Sequence, residues 1–254
     1  MSLAEHLIFP DWPAPANVKS LQTTRLGGCS SAPYDSLNLG DHVGDAPLAV
    51  ARNRMLLNTR LPSEPVWLNQ VHGTAVADAD LASCLPQADA CIARHRDAVC
   101  VVMTADCLPV LLCDTQGSVV GAAHAGWKGL ANGVIEATVQ AMDVAPQNLM
   151  AWLGPAIGQP AFEVGEEVRA VFVDADPRAA EAFMPGKSGK WLADIYKLAR
   201  LRLNALGIAN VHGGGYCTYG ERERFFSYRR DGMTGRMGTF IWLGEPGELR
   251  QPLV

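Results

Sequence analysis

Three residues with metal-binding side chains each stand at the edge of an apolar segment in this sequence. His72 is followed directly by a glycine, Cys107 comes two residues before a proline, and His124 comes two residues before a glycine. Thiolate and imidazole groups are donors that suit zinc and copper. Three protein ligands leave a fourth position open for water or substrate, as in catalytic zinc sites. If the three side chains meet in space, they predict a metal site that supplies hydroxide at neutral pH.

The same residue types permit other interpretations. A cysteine after an apolar run is most often buried and inert, and a histidine beside glycine is usually a loop residue. Cys107, with His124 as its base, would also suit a metal-free cysteine hydrolase. A fourth protein ligand would indicate a structural zinc site in a binding module instead. Spacing alone leaves these alternatives open.

The segments around Cys107 predict a β-hairpin. Residues 98–104 form an apolar, β-branched run that is typical of a buried strand, and residues 108–113 continue it after a kink. Residues 114–117 provide a turn, and residues 118–123 provide a returning strand. Both reactive side chains therefore lie at predicted strand ends, from which a fold can direct them into a cleft.

Two further segments could contribute to the same cleft. Residues 66–71 predict a short strand that ends at His72. Residues 23–45 are dense in Gly, Ser, Asp and Asn, which marks loops and turns. This segment also carries Arg25 and His42, so it is either an ordinary surface loop or an ordered loop that lines a site.

Helical periodicity predicts four helices, at residues 46–60, 127–142, 164–173 and 194–206. Gly207 is the expected C-terminal cap of the last one. Because strands and helices mix without strict alternation, we expect an α+β or mixed α/β domain.

Composition narrows the class of protein. The chain has 254 residues, 48% of them hydrophobic, and a net charge of −5. No basic tract stands out, which argues against nucleic acid or anionic membranes as partners. We find no signal segment and no apolar run of about 18 residues. Seven cysteines with no CxxC pair favour reduced thiols. We therefore expect a cytoplasmic protein, with a monomer as the default.

Eight segments, in this order, closely resemble the YfiH-like family. Its members have been called multicopper polyphenol oxidases, laccase domain proteins and purine nucleoside phosphorylases. The resemblance implies a single α+β domain at residues 1–243, with mixed β-sheets flanked by helices, of the type once grouped with putative cysteine hydrolases. Residues 244–254 would form a C-terminal tail. The segments are TTRLGG, YDSLNLG, WLNQVHG, MTADCLPVLL, AAHAGWKG, WLGPAIG, FEVG and FFSYRRDGMTGRMGTFIWL.

The resemblance also implies a function and a ligand set. His72, Cys107 and His124 would bind a catalytic zinc. The expected reactions are phosphorolysis of adenosine, inosine, guanosine and 5′-methylthioadenosine, and deamination of adenosine to inosine. A copper-dependent polyphenol oxidase is one alternative, although six histidines and no HxH pair are too few for a multicopper centre. Cysteine-hydrolase-like editing of peptidoglycan precursors is another.

Five further residues are candidates for substrate chemistry. Asp106 is the carboxylate nearest to a ligand and is either a proton shuttle or a turn residue that binds backbone N–H groups. Arg25, which precedes a Gly-Gly pair by one residue, is the preferred phosphate residue, and Arg229 is a second candidate. Asn69 and Tyr228 are predicted to bind the base or the ribose.

Overall fold

Twelve strands and six α-helices are formed by the part of the chain that a computed structural model describes, residues 3–81 and 85–246. The strands are β1 (Val18–Gln22), β2 (Val76–Asp78), β3 (Ala90–Ala93), β4 (Cys100–Thr104), β5 (Leu108–Asp114), β6 (Val120–Ala125), β7 (Leu149–Leu153), β8 (Glu163–Val164), β9 (Phe183–Pro185), β10 (Trp191–Ala193), β11 (Asn210–Gly213) and β12 (Met237–Leu243). The helices are α1 (Pro47–Asn58), α2 (Trp127–Asn132), α3 (Val134–Met142), α4 (Glu166–Ala175), α5 (Ile195–Leu206) and α6 (Tyr228–Asp231).

A six-stranded mixed sheet forms the centre of the molecule, in the order β11-β7-β5-β6-β3-β2. Every residue of β5 and β6 is buried, because the sheet is covered on both faces. Successive side chains of β5 point to opposite faces. Val110 and Leu112 pack into the core that faces helices α2 to α5, whereas Leu111 and Cys113 pack into the core on the other face.

A second, antiparallel sheet packs on that other face, in the order β1-β12-β4. Ile241 of β12 and Val102 of β4 join the core between the two sheets. Phe240 and Val101, one residue away, join a separate core that includes Leu57 of α1. The layers are therefore, in order, helices α2 to α5, the six-stranded sheet, the three-stranded sheet and helix α1. A small antiparallel sheet, β8-β10-β9, is not hydrogen-bonded to either, but its Val164 and Phe183 join the core that faces the helices. The expected α+β class, with mixed sheets flanked by helices in a single domain, is confirmed.

The predicted hairpin is present as β5 and β6, which pair antiparallel. The carboxylate of Asp114 holds the turn, because Oδ1 accepts the backbone N–H of Ser118 at 2.7 Å and of Val119 at 3.1 Å. Gly117 takes a positive φ of 66°, which suits glycine in a tight turn.

Three details of the sequence prediction are wrong. The sequence predicts one kinked strand from residues 98–104 and 108–113, but β4 and β5 belong to different sheets. Residues 66–71 form no strand and make only isolated bridges at Val66 and Asn69. The helix expected at 127–142 is divided into α2 and α3 at Gly133, whose φ of 95° ends the first helix.

Other local predictions are confirmed. Helix α1 lies within the expected 46–60, and α5 begins after the N-cap Asp194 and ends at Gly207 with φ 93°. No helix in the described ranges is long and apolar enough to cross a membrane. Most of the expected C-terminal tail, residues 247–254, lies outside the described residues, so its boundary stays a prediction.

Candidate metal centre

The β5–β6 hairpin places Cys107 and His124 side by side. Its register pairs Leu108 with Ala125 and Pro109 with His124. Cys107 comes directly before β5 and so lies opposite Gly126, which follows β6. The chain reaches Cys107 by crossing from the second sheet to the central sheet between β4 and β5.

His72 is brought to this end of the hairpin by side chains of its neighbours rather than by a strand. The amide of Gln70 accepts the N–H of Met103 at 2.7 Å and donates to the carbonyl of Met103 at 2.9 Å. The carboxylate of Asp89 accepts the backbone N–H groups of His72 at 2.9 Å and Gly73 at 2.6 Å. These contacts fix His72 at a positive φ of 60°.

His72, Cys107 and His124 thus form a candidate set of metal ligands, which we call the ligand triad. Their possible ligand atoms all lie within 4.8 Å of one another, and Nε2 of His72 lies 3.8 Å from Sγ of Cys107. Zinc bonds of about 2.3 Å to sulfur and about 2.0 Å to nitrogen, at tetrahedral angles, separate the two donors by about 3.5 Å. The donor set and its spacing therefore fit a metal ion of the zinc class, and the structure brings the three side chains together as metal binding requires.

Asp89 orients the second histidine of the ligand triad. Its Oδ1 lies 2.8 Å from Nδ1 of His124, and both side chains are almost completely buried. With Nδ1 hydrogen-bonded to the carboxylate, Nε2 of His124 is left to bind a metal. Burial opposes ionisation of Asp89, but hydrogen bonds from His124 and from the backbone of Gly73 and Val71 hold its pKa below the usual value.

The ligand triad also favours the thiolate that metal binding needs. Burial raises the pKa of Cys107, but the charge of His124 and hydrogen bonds from both histidines lower it to about 6. Burial lowers the pKa of His124, whereas the charge of Cys107 and the hydrogen bond to Asp89 raise it to about 9. A thiolate is a strong ligand for a cation, and a bound metal would replace the proton that His124 carries in this thiolate–imidazolium pair.

Gly126 allows the ligand triad to close. A Cβ atom built on Gly126 would lie 2.9 Å from Sγ of Cys107 and 2.9 Å from Cδ2 of His72. The φ of Gly126 is −62°, which any residue can adopt. Glycine is therefore needed here for space between side chains, not for its backbone freedom.

The ligand triad opens into a cavity of about 500 Å³, which we call the site cavity. This volume lies within the range of small-molecule sites, about 300–1,000 Å³. Apolar atoms make up most of the wall surface, although about half of the lining residues carry polar or charged side chains. The lining residues are His42, Gln70, His72, Met103, Thr104, Ala105, Asp106, Cys107, His124, Trp127, Ile157, Phe162, Ile195, Tyr228, Arg229 and Arg236.

Asp106 lines the site cavity, but both of its carboxylate oxygens are engaged. Oδ1 accepts the hydroxyl of Thr218 at 2.6 Å, and Oδ2 accepts the backbone N–H of Arg229 at 2.7 Å. Its backbone takes a φ of 94° where the chain crosses between the sheets. These contacts agree with the second interpretation of the sequence, a carboxylate that binds backbone, and the proton-shuttle role stays a prediction.

The other predicted substrate residues divide into two groups. Tyr228 and Arg229 line the site cavity. Arg25 lines a different cavity, where its guanidinium lies 3.3 Å from the carboxylate of Asp35 and donates to the Arg222 carbonyl. Asn69 is exposed and does not line the site cavity. The structure therefore does not bring Arg25 or Asn69 to the ligand triad.

Sequence reasoning missed Asp89, Gln70 and Arg236 as site residues. Asp89 stands directly before the apolar strand β3, and this position was the only local signal. The sequence leaves open whether the segment 23–45 lines a site, and His42 within it does line the site cavity.

Comparisons with known proteins find similarity over most of the chain. Residues 19–244 match the family described as multi-copper polyphenol oxidoreductase laccase. The chain is 55% identical over 237 residues to a purine nucleoside phosphorylase of Pseudomonas aeruginosa, with 93% of this chain and 98% of that protein covered. It is 54% identical over 242 residues to the purine nucleoside phosphorylase YfiH of Escherichia coli, with the same coverage.

Solved structures show the same similarity in the fold. A Neisseria meningitidis protein of the DUF152 family has a TM-score of 0.92 at 53% identity, with 94% of this chain and 100% of that chain covered. YlmD from Geobacillus stearothermophilus has a TM-score of 0.85 at 30% identity, with 94% and 99% covered. The similarity therefore spans more than nine-tenths of the chain in sequence and in fold.

Proposed function

The chain belongs to the family described as multi-copper polyphenol oxidoreductase laccase, the YfiH family, and we propose that it is a zinc-dependent purine nucleoside phosphorylase that also deaminates adenosine. The substrates we expect are adenosine, inosine, guanosine and 5′-methylthioadenosine, together with phosphate. The observation that supports this proposal best is that the ligand triad opens into an aromatic-lined cavity of about 500 Å³. Relatives at 55% and 54% identity named purine nucleoside phosphorylase support it further.

Phosphorolysis needs a site that holds two substrates together. An oxygen of phosphate forms a bond to C1′ of the ribose while the bond from C1′ to the purine N9 breaks. The electron pair of that bond goes to the purine, which takes up the proton that phosphate gives up. This displacement needs no covalent enzyme intermediate. The main contributions of the protein are therefore to position the two substrates and to stabilise the charge that develops.

The walls of the site cavity suit a nucleoside. Trp127 and Phe162 offer aromatic faces for a purine base, and Met103 and Ile157 add apolar surface. Tyr228 lines the same cavity, and its hydroxyl is our candidate to bind the base or the ribose. The side-chain amide of Gln70 also lines the cavity, but both its oxygen and its nitrogen are hydrogen-bonded to the backbone of Met103. We therefore assign Gln70 to positioning rather than to binding substrate.

His72, Cys107 and His124 would hold the zinc ion. When bound, it would supply a Lewis acid and an acidified water, which is what attack at C6 of adenine requires. Asp89 keeps His124 in the tautomer that leaves Nε2 for the metal. Within the described residues this site has three possible protein ligands. A closed structural zinc site uses four, so three ligands agree better with a fourth position left open for water or substrate.

A copper-dependent polyphenol oxidase is the second candidate, because the family description refers to copper. One cysteine and two histidines can bind copper as well as zinc. Within residues 3–81 and 85–246, the ligand triad is the one group of three or more such residues that could hold an ion. A four-copper centre would need further ligands, so oxidation of polyphenols is our weaker proposal.

Cysteine-hydrolase-like editing of peptidoglycan precursors is the third candidate. Cys107 and His124 would then act as nucleophile and base. The position of His72 near Sγ of Cys107 favours metal binding, because a nucleophile of this kind needs only one histidine. We further expect a cytoplasmic monomer whose partners are purine nucleosides and phosphate, without nucleic acid or membrane.

The deciding experiment is to incubate purified protein with adenosine, with and without phosphate, after its metal content has been measured. We expect adenine and ribose-1-phosphate only when phosphate is present, and inosine in both cases. The Cys107→Ser variant serves as the control for contaminating enzymes. If neither product forms at full zinc loading, the proposal is contradicted. Oxidation of a phenol by the copper-loaded protein alone would favour the second candidate.

A further inference from the structure

Arg236 is a partly buried cation in the wall of the site cavity. Its Nη1 donates to the backbone carbonyls of Thr234 and Gly235, each at 3.0 Å. Within the described residues, neither Nε nor Nη2 has a hydrogen-bond acceptor, and no carboxylate forms an ion pair with the guanidinium. Nε and Nη2 form an edge of arginine that binds an oxyanion through two parallel hydrogen bonds. That edge is therefore available to a ligand.

Other well-buried arginines of the chain differ in this respect. Arg25, Arg54 and Arg230 each face a carboxylate, at 3.3, 3.4 and 2.7 Å. A buried cation is costly unless an anion compensates it. Burial lowers the pKa of Arg236, and the charges of Cys107 and Asp106 offset this only in part. The Tyr228 ring, 5.9 Å from the guanidinium carbon, adds a weaker attraction, and an anionic ligand would supply the ion pair that Arg236 lacks.

The surrounding chain fixes the position of Arg236. The amide oxygen of Asn38, which is fully buried, accepts the Arg236 N–H at 2.8 Å. Gly40 packs against the side chain, since a Cβ on Gly40 would lie 2.8 Å from Cγ of Arg236. The same loop continues to His42, which also lines the site cavity. Nδ1 of His42 lies 3.4 Å from the carboxylate of Asp41, so the guanidinium is the element of this wall that suits an oxyanion.

Resting on the proposed function, we propose that Arg236 binds the phosphate co-substrate, with its Nε and Nη2 edge toward the oxyanion. This phosphate site lies in the same cavity as the ligand triad, so phosphate and a nucleoside would meet within one cavity. The ligand class is a phosphate dianion, either inorganic phosphate or the phosphate group of a nucleotide.

Two other arginines fit this role less well. Arg229 is exposed at the cavity wall, where its Nη1 donates to the Glu163 carbonyl at 2.9 Å. Arg25, the candidate from sequence, lines a different cavity and is paired with Asp35. Neither combines partial burial, an unpaired guanidinium edge and a place in the wall of the site cavity.

The test compares Arg236→Gln and Arg236→Lys with Arg222→Gln, an exposed arginine outside the site cavity. For each variant, KM is measured separately for phosphate and for adenosine, together with bound zinc. We expect Arg236→Gln to raise KM for phosphate about 10- to 100-fold, because a charge-assisted hydrogen-bond pair is lost. Arg236→Lys should give a smaller rise, since it keeps the charge without the planar fork.

Under the proposal, KM for adenosine, zinc content and the Arg222→Gln control change little. An unchanged KM for phosphate in Arg236→Gln, or equal rises for both substrates, would overturn the assignment. Direct binding gives a second readout that does not depend on turnover. Inorganic phosphate should raise the Tm of the wild type and of Arg222→Gln, but not that of Arg236→Gln. If Arg236→Gln fails to fold, Arg236→Lys carries the same comparison.

The same binding assay separates failure of the inference from failure of the proposed function. If the wild type makes no ribose-1-phosphate but its Tm still rises with inorganic phosphate in an Arg236-dependent way, the phosphate site stands and the phosphorylase proposal fails. If inorganic phosphate has no effect on the wild type, the phosphate site is refuted. A larger Arg236-dependent shift with adenosine 5′-monophosphate than with adenosine plus phosphate would refute the co-substrate assignment in favour of a nucleotide.

Discussion

The carboxylate of Asp89 and the imidazole of His124 form a buried hydrogen bond of 2.8 Å between Oδ1 and Nδ1. The same carboxylate accepts the backbone N–H groups of Val71, His72 and Gly73. One side chain therefore holds two members of the ligand triad, one by its ring and one by its backbone. Four donors converge on two oxygens, an arrangement that a carboxylate satisfies and that an amide cannot.

The first prediction follows from this contact. Asp89→Asn replaces one acceptor oxygen with an NH₂ group that faces N–H donors, so the ligand triad loses its alignment. We expect zinc affinity to fall about 10- to 100-fold, measured by competition with a chelator and by the visible spectrum of the cobalt-substituted protein. Asp80→Asn is the matched control, because Asp80 accepts backbone N–H groups of Arg94 and His95 away from the site cavity. Equal losses of affinity in the two variants would contradict the prediction.

The second prediction concerns space at the ligand triad. Gly126→Ala adds a methyl group 2.9 Å from Sγ of Cys107 and from Cδ2 of His72, while its backbone remains relaxed. We expect the variant to fold with a Tm close to that of the metal-free wild type and to bind less than half of the zinc that the wild type binds. Gly215→Ala is the control, because a Cβ there meets no atom within 4 Å. Full zinc content in Gly126→Ala would show that the ligand triad has more room than its geometry indicates.

Removal of the metal gives the third prediction. Cys107→Ser and chelation of the wild type should both abolish activity, and added zinc should restore only the chelated wild type. Both should also lower the Tm, because a ligand that binds the folded state stabilises it. Cys29→Ser, at an exposed cysteine, should behave as the wild type. An acyl intermediate trapped on Cys107 in metal-free protein would instead support the hydrolase alternative.

The fourth prediction concerns stability in acid. Burial raises the pKa of Asp231, but hydrogen bonds and charge from Arg230 outweigh it, so the folded-state pKa lies below the ordinary value of 3.8. The contribution of this pair to stability is therefore complete above about pH 5 and is lost as the pH falls through the folded-state pKa. We expect Asp231→Asn to lower the free energy of unfolding by about 1–3 kcal/mol at pH 7.

Urea unfolding at pH 7 and at pH 3 provides the measurement for Asp231→Asn. The difference between wild type and variant should shrink at the lower pH, because the carboxyl takes up a proton in the unfolded wild type before it does so in the folded protein, which favours unfolding. Asp176→Asn is a useful control, since Asp176 also pairs with an arginine but its pair is exposed. A difference that stays constant between the two pH values would show that the effect of Asp231 does not come from its charge.

The sequence by itself determined the local elements and the reactive residue types. The hairpin of β5 and β6, the helices α1 and α5, and the three ligand candidates could be predicted, because strand alternation, helix periodicity, turn residues and donor chemistry are local properties. The resemblance to a known family supplied the ligand set as a whole. Local patterns failed at Gly133 and Asp106, where a positive φ interrupts an otherwise continuous apolar run.

Only the tertiary structure decided which of the polar residues share the site. Asp89 and Arg236 do not stand out in the sequence, and Arg25 beside its glycines looked the better phosphate residue. The tertiary fold brings the amide oxygen of Asn38 within 2.8 Å of the Arg236 backbone nitrogen, 198 positions away, and brings Cys107 next to His72, 35 positions away. Such contacts depend on how the apolar faces of separate sheets and helices pack together, and no periodicity along the chain records that packing.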